Sequence, residues 1–214
     1  MNEFTTILKD EMAEIVEKKS KFIANIFYVE NVEEAEAKVK EVKRKYYDAK
    51  HNCIAYRVIE NGRIVEKSSD DGEPSGTAGG PMLNILQKNN LCNLVVIVTR
   101  YFGGILLGTG GLVRAYSEAT QKAIEKSIKV SKIEGIEIQV RVDYAKLDAF
   151  KYYCRNNEID IVKIEYKEDI VLKIEMEKSR KKFFLKNIET KTLNIKEYQV
   201  IQEKYITKTV EKNK

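Results

Sequence analysis

The 214-residue chain has no tryptophan, one histidine, three cysteines and two prolines. Each shortage excludes something. Any Ser–His or Cys–His nucleophile pair would have to use His51. Cys53 stands two positions away, but side chains two apart in a strand share a face without being aimed at each other. Cys53, Cys92 and Cys154 are odd in number, widely separated and free of C-x-x-C spacing, which argues against a disulfide framework and a structural zinc site. Each reads as a small buried hydrophobe. No apolar run reaches eighteen residues, so no transmembrane helix is expected. The opening MNEFTTILKDEM lacks the charged-then-apolar signal pattern, and a cytoplasmic location is expected. A net charge of +5, from 38 basic and 33 acidic residues, does not by itself imply a nucleic-acid partner.

Glycine is scarce too, at eleven residues, but most of it falls with both prolines between Ser68 and Thr120. Glycine is needed where the backbone takes positive φ or passes close to something else, so this concentration implies a built surface. The stretch has three parts. Asp70 to Gly80 is an acidic, glycine-rich loop ending at Pro81, which suits the first turn of a helix running to about Lys88. Leu94 to Thr99 is a continuous apolar run that reads as a strand buried on both faces. Arg100 to Gly111 is a second glycine loop, opening a helix that is expected to start near Leu112. Leu112, Ala115, Tyr116, Ala119 and Ala123 recur at helical spacing and face the core.

A strand, a glycine loop and a helix N-terminus can together hold an anion on backbone N–H groups and the positive end of the helix dipole. The candidate anion or nucleic-acid site is Arg100, Gly103, Gly104, Gly108, Thr109, Gly110, Gly111 and Arg114. The alternative is that the glycines only let the helix pack closely on the strand, with Arg114 pairing to Glu118. The pattern is neither a Walker loop nor a dinucleotide fingerprint. Asp70, Asp71, Glu73, Ser75 and Thr77 form a candidate partner-binding loop.

Along the rest of the chain, a strand is expected near Met12 to Val16. The basic cluster Lys18-Lys19-Ser20-Lys21 reads as an anion contact or a solvated turn, and a strand follows from Phe22 to Val29. Asn31 caps a helix, with Glu34 as its capping-box partner. His51 to Ile59 and Arg63 to Lys67 read as a hairpin joined by Asn61-Gly62. The order suggests one sheet with helices on one face. Near Val130 the glycines give way to Lys/Glu/Ile alternation. Ile136 to Val142 reads as a half-buried strand. A helix capped by Asp143 follows, carrying Leu147, Phe150 and Tyr153. A strand then presents Val162, Ile164 and Tyr166, and another runs from Ile170 to Met176. Ser179 caps a helix bearing Phe183, Phe184 and Ile188, and a last strand spans about Glu197 to Ile206. This β-α-β-β-α-β order is the ferredoxin-like plan. The expected fold class is α+β in two domains, residues 1–130 and 131–214.

Four motifs, KKSKF at 18–22, HNCIAYR at 51–57, SSDDGEPSGTAGGPML at 68–83 and VVIVTRYFGGILLGTGGLVRAYSEA at 95–119, resemble those of the YigZ/IMPACT family in its bacterial two-domain form. The resemblance implies that residues 1–130 fold like the second domain of a small-subunit ribosomal protein and domain IV of the translocation elongation factor. It implies that residues 131–214 fold like the last, ferredoxin-like domain of that factor. Eukaryotic relatives regulate translation by engaging the activator of an initiation-factor kinase. Some relatives carry a proline-dipeptidase label, which one histidine and no metal-binding constellation beyond Asp70, Asp71 and Glu73 do not support.

The resulting expectation is a non-enzymatic, translation-linked regulatory or binding protein. It would contact RNA, the ribosome or a translation factor through the glycine-rich loop, without cofactor, metal or membrane. The competing expectation is a Mg²⁺-dependent enzyme acting on a phosphate-bearing small molecule, with Asp70, Asp71 and Glu73 around the ion and Arg100 stabilising transferring charge.

Overall fold

The apolar run Leu94–Tyr101 becomes the middle strand of a five-stranded antiparallel sheet, with Leu94 to Val98 fully buried. Burying each such side chain contributes about 1.5–3 kcal/mol. The computed structural model describes residues 3–208, and the chain divides into two compact units, Glu3–Val130 and Ser131 onward. The first unit runs β1 (Glu3–Ile7), β2 (Glu11–Glu17), β3 (Ser20–Tyr28), α1 (Val32–Lys45), β4 (His51–Glu60), β5 (Arg63–Ser69), α2 (Gly79–Lys88), β6 (Leu94–Tyr101) and α3 (Gly108–Lys126). Its large sheet has the order β2-β3-β6-β4-β5.

Alternation along the strands sorts the first unit's core into two layers. Phe22, Ala24, Ile26, Cys53, Ala55, Leu94, Val96 and Val98 pack under α2 and α3. Ile54, Tyr56, Val58, Val95 and Ile97 pack against Ala35, Val39 and Val42 of α1. The helices therefore cover both faces of the sheet rather than the one expected. The physical reason is the strand already read as buried on both sides: an apolar run without alternation needs a cover above and below.

Local chemistry accounts for the element ends. Asn31 accepts the Glu34 backbone N–H at 2.8 Å, and the Glu34 carboxylate accepts from the Glu30 N–H at 2.8 Å, a reciprocal cap shifted one residue from the standard box. Asn61 and Gly62 take φ of 51° and 76° at the β4–β5 hairpin, as a two-residue loop of the favoured hand requires. Lys18 and Lys19 take φ of 45° and 64° at the β2–β3 hairpin, an unusual use of lysine. In the glycine-rich stretch α2 carries Pro81 in its first turn and ends at Lys88, as expected. Helix α3 begins earlier than expected, at Gly108 instead of near Leu112, so Gly108 to Gly111 form its first turn. Strand β1 was not anticipated; Cys92 donates its N–H to the Thr5 carbonyl at 2.9 Å.

The second unit takes up β7 (Lys129–Val142), α4 (Leu147–Asn156), β8 (Asp160–Tyr166), β9 (Ile170–Glu177), α5 (Lys181–Glu189) and β10 (Ile195–Thr207). Its strands pair antiparallel in the order β10-β7-β9-β8. The chain is thus a mixed α+β protein of two units. Strand β7 runs through the change near Val130, and Lys132 to Val142 lie in register with β10. Two helix starts differ from the sequence reading. Asp143 makes no capping hydrogen bond and instead pairs with Lys196 at 2.6 Å. Ser179 lies inside a single 3-10 turn before α5, where no side chain caps. An irregularity between Ile161 and Lys163 changes which β8 residues face the core. Ile161 and Ile164 pack inward, while Val162 and Tyr166 are exposed. No helix among the described residues is long and apolar enough to cross a membrane.

Candidate functional site

All four motifs meet where β6 ends. Phe22, Arg100 and His51 are aligned across β3, β6 and β4 on the face covered by α2 and α3. Arg100 is only 6% exposed and already has an anion. Its Nη1 donates to Glu73 Oε1 at 2.7 Å, and Glu73 is 8% exposed. The Tyr116 hydroxyl, from the third turn of α3, donates to the same oxygen at 2.8 Å. The guanidinium lies over the Phe22 ring at 5.4 Å and the Phe102 ring at 5.7 Å, and Nη2 reaches Ser20 Oγ at 3.4 Å. Arg100 was expected at the rim of an anion site; its alignment on the covered face buries it in a pair with Glu73 instead. Glu73, expected in a partner-binding loop, turns inward to meet Arg100.

The remaining acidic residues of that loop are also engaged. The Asp70 carboxylate accepts backbone N–H bonds from Gly76 (2.8 Å), Ala78 (2.9 Å) and Gly79 (2.8 Å), closing the loop and capping the start of α2. Burial opposes the Asp70 charge, but the three N–H donors outweigh it and hold the carboxyl below its ordinary range. Asp71 takes φ of 45°. Its carboxylate accepts from the Asn52 N–H at 2.7 Å and from Lys43 at 2.6 Å. Its carbonyl accepts from His51 Nδ1 at 2.9 Å. Thr77 is buried and donates to the Pro74 carbonyl at 2.6 Å, whereas Ser75 is exposed. The three carboxylates of Asp70, Asp71 and Glu73 thus point to three different sets of donors. Among the described residues no group of three His, Cys, Asp or Glu is arranged to hold a metal ion.

Cys53 is fully buried and its thiol donates to the Asp70 carbonyl at 2.9 Å. Desolvation is the main cause that pushes its pKa up to about 12, so it is a poor thiolate nucleophile near neutrality. Tyr116 is pushed upward as well, first by burial and then by Cys53 and Glu73. These groups form a closed scaffold.

What the scaffold carries is the β6–α3 loop. The Gly103 N–H bonds to Ser20 Oγ at 3.2 Å, and a Cβ at Gly103 would lie 2.0 Å from the Lys19 carbonyl carbon. The loop therefore sits directly on the β2–β3 turn, and only glycine permits it. Gly104 and Gly108 take φ of 84° and 72°. Phe102, just before the glycine pair, is 58% exposed, and Ile105 and Leu106, between Gly104 and Gly108, are 43% and 82% exposed. Gly108, Thr109 and Gly110 are exposed in the first turn of α3, where no side chain caps, and Gly111 packs on Leu107. Arg114 is exposed and makes no ion pair among the described residues. Glu118, its expected partner, pairs with Lys122 at 3.0 Å instead. The anion-site residues are therefore split: Arg100 faces inward, Gly103 and Gly111 pack against their neighbours, and Gly104, Gly108, Thr109, Gly110 and Arg114 are exposed.

The sequence reading assigned no role to Ile105, Leu106 or the Tyr116 hydroxyl, and placed Ser20 only within the basic cluster, not as the partner of Arg100 and Gly103. Apolar residues caught between glycines, outside any helical or strand period, were the one signal available for Ile105 and Leu106.

The chain matches the Impact N-terminal domain over residues 18–124 and a domain of unknown function, DUF1949, over residues 140–189. It is 36% identical to the IMPACT family member YvyE of Bacillus subtilis over 79% of this chain and 78% of that one. It is 34% identical to the family member YigZ of Escherichia coli over 73% and 78%. A crystal structure described only as a hypothetical protein aligns with a TM-score of 0.64 at 28% identity, covering 94% of this chain and 98% of that one. A structure of a two-domain translational regulator, Yih1, aligns with a TM-score of 0.36, too low to establish a common arrangement. With motifs, domain order and near-full-length relatives in agreement, the chain belongs to the IMPACT family.

Proposed function

We propose that this protein is a translation-linked regulator that works by binding and not by catalysis, and that its contact surface is the glycine-rich end of the first unit. The observation that carries this reading is the division of labour around β6. The polar side chains that could do chemistry are turned inside, Arg100 and Tyr116 onto Glu73 and Cys53 onto the Asp70 carbonyl, while the loop they support presents apolar side chains and backbone outward. The link to translation comes from membership of the IMPACT family and from the translation-regulating role that the resemblance implies. RNA, the ribosome and a translation factor are the candidate contacts.

The test is co-sedimentation of the full chain with ribosomes from lysate, at two salt concentrations. Wild type should co-sediment. Ile105→Ser with Leu106→Ser should reduce the bound fraction several-fold, with an unchanged circular dichroism spectrum. Equal co-sedimentation of wild type and variant would remove this surface from the function. A phosphate-dominated contact would instead weaken steeply with salt and respond to Arg114→Ala.

A further inference from the structure

We propose that the β6–α3 loop and the β2–β3 turn together form a docking surface for an acidic, apolar-anchored segment of a protein partner. The proposal rests on the reading of the glycine-rich end as the contact surface and names what binds there. Single exposed apolar residues are ordinary on a protein surface. Here Phe102, Ile105 and Leu106 are exposed within five positions of chain, and contiguous apolar exposure of that kind marks interaction sites. The loop is also held in place. Gly103 is wedged on the Lys19–Ser20 backbone, its N–H is bonded to Ser20 Oγ, and the Phe102 ring lies against the buried Arg100 guanidinium. Leu107, the next residue, is buried. The chain thus selects which apolar side chain enters the core and which three stay out.

Charge decides the occupant. The turn beneath the loop carries Lys18 and Lys19, both exposed and without an ion pair among the described residues. Lys21 is already paired with Glu14 at 3.0 Å, and Glu17 is the one acid on the turn. Arg114 adds an unpaired cation about 9 Å along α3 from Gly108, at 1.5 Å per residue. Cations beside an apolar patch complement a segment that pairs Asp or Glu with large apolar anchors. A single-stranded nucleic acid fits less well, because stacking platforms need several aromatic faces. Ile105 and Leu106 offer none, and Phe102 is the one exposed ring of the loop.

The probes are three labelled peptides of equal length and an oligouridylate of twelve nucleotides. One peptide alternates Leu with Glu at helical spacing, the second replaces Glu with Lys, and the third replaces Leu with Ser. Binding to the full chain is followed by anisotropy. The Leu/Glu peptide should bind at least tenfold more tightly than either control peptide. Ile105→Ser with Leu106→Ser should weaken it at least fivefold. So should Lys18→Asn with Lys19→Gly, which removes both charges while installing residues that favour positive φ in this hairpin and so keeps the fold. No binding of the Leu/Glu peptide, equal binding of all peptides, or tighter binding of the oligouridylate would each overturn the proposal. If ribosome co-sedimentation still depends on Ile105 and Leu106 in that case, the contact surface stands and only its acidic protein partner is wrong. If that dependence is absent too, both fail.

Discussion

Replacing Arg100 by alanine should unfold the first unit far more readily than any surface change. The substitution removes the guanidinium from between Phe22 and Phe102 and leaves the Glu73 carboxylate, whose side chain is 3% exposed, with Tyr116 as its remaining side-chain partner. Breaking a buried ion pair from one side costs about 3–5 kcal/mol, because the stranded charge keeps its desolvation penalty. With a urea m-value of about 2 kcal/mol/M, the unfolding midpoint should fall by roughly 1.5–2.5 M. The chain has no tryptophan, and circular dichroism would mix both units. The assay is therefore hydrogen exchange of β6 peptides across a urea series, which reads opening of that strand directly. A second variant guards the reasoning. Arg100→Met, Glu73→Leu and Tyr116→Phe together remove every polar member of the pair, and such apolar replacements are often neutral or better. The triple variant should recover most of the loss. A midpoint for Arg100→Ala within about 0.5 M of wild type would refute the buried pair. A triple variant no better than the single one would show that Arg100 acts by packing, not by charge.

Asp70→Asn should destabilise the protein at neutral pH and narrow the acid limb. A carboxyl held below its ordinary 3.8 stabilises the fold above that value and loses the contribution as pH falls through the lowered native value. The gap between wild type and variant in urea midpoint should shrink from pH 7 to pH 2, and a gap independent of pH would exclude the charge. Gly103→Ala should destabilise by about 1–3 kcal/mol or more, since its Cβ meets the Lys19 backbone and not a movable side chain. Gly110→Ala, whose Cβ would meet nothing within 4 Å, should be neutral or stabilise α3 by up to about 1 kcal/mol; urea midpoints for the two variants should move in opposite directions or differ by at least 0.5 M.

The sequence by itself determined most of the elements, β1 excepted, and the α+β plan in two units. The period of two in Ile136 to Val142, the period of 3.6 in α3 and the Asn61-Gly62 turn are local patterns, and local backbone preference reproduces them. The capping pair Asn31 and Glu34 was legible for the same reason. The exact start of α3 was not, because five glycines in the twelve positions from Arg100 to Gly111 carry no helical preference, and the turn forms only when Leu107 and Leu112 are pulled into the core. The placement of α1 opposite α2 and α3 was decided by packing across the sheet. Arg100 shows the limit most plainly. A cation at the end of a buried strand reads as available, but its partner Glu73 lies 27 positions back along the chain, and only the folded loop brings the two within 2.7 Å. The same closure that hides Arg100 leaves Phe102, Ile105 and Leu106 outside. Which apolar residue is core and which is surface depends on distant backbone, here the Lys19 turn under Gly103, and no local pattern encodes that contact.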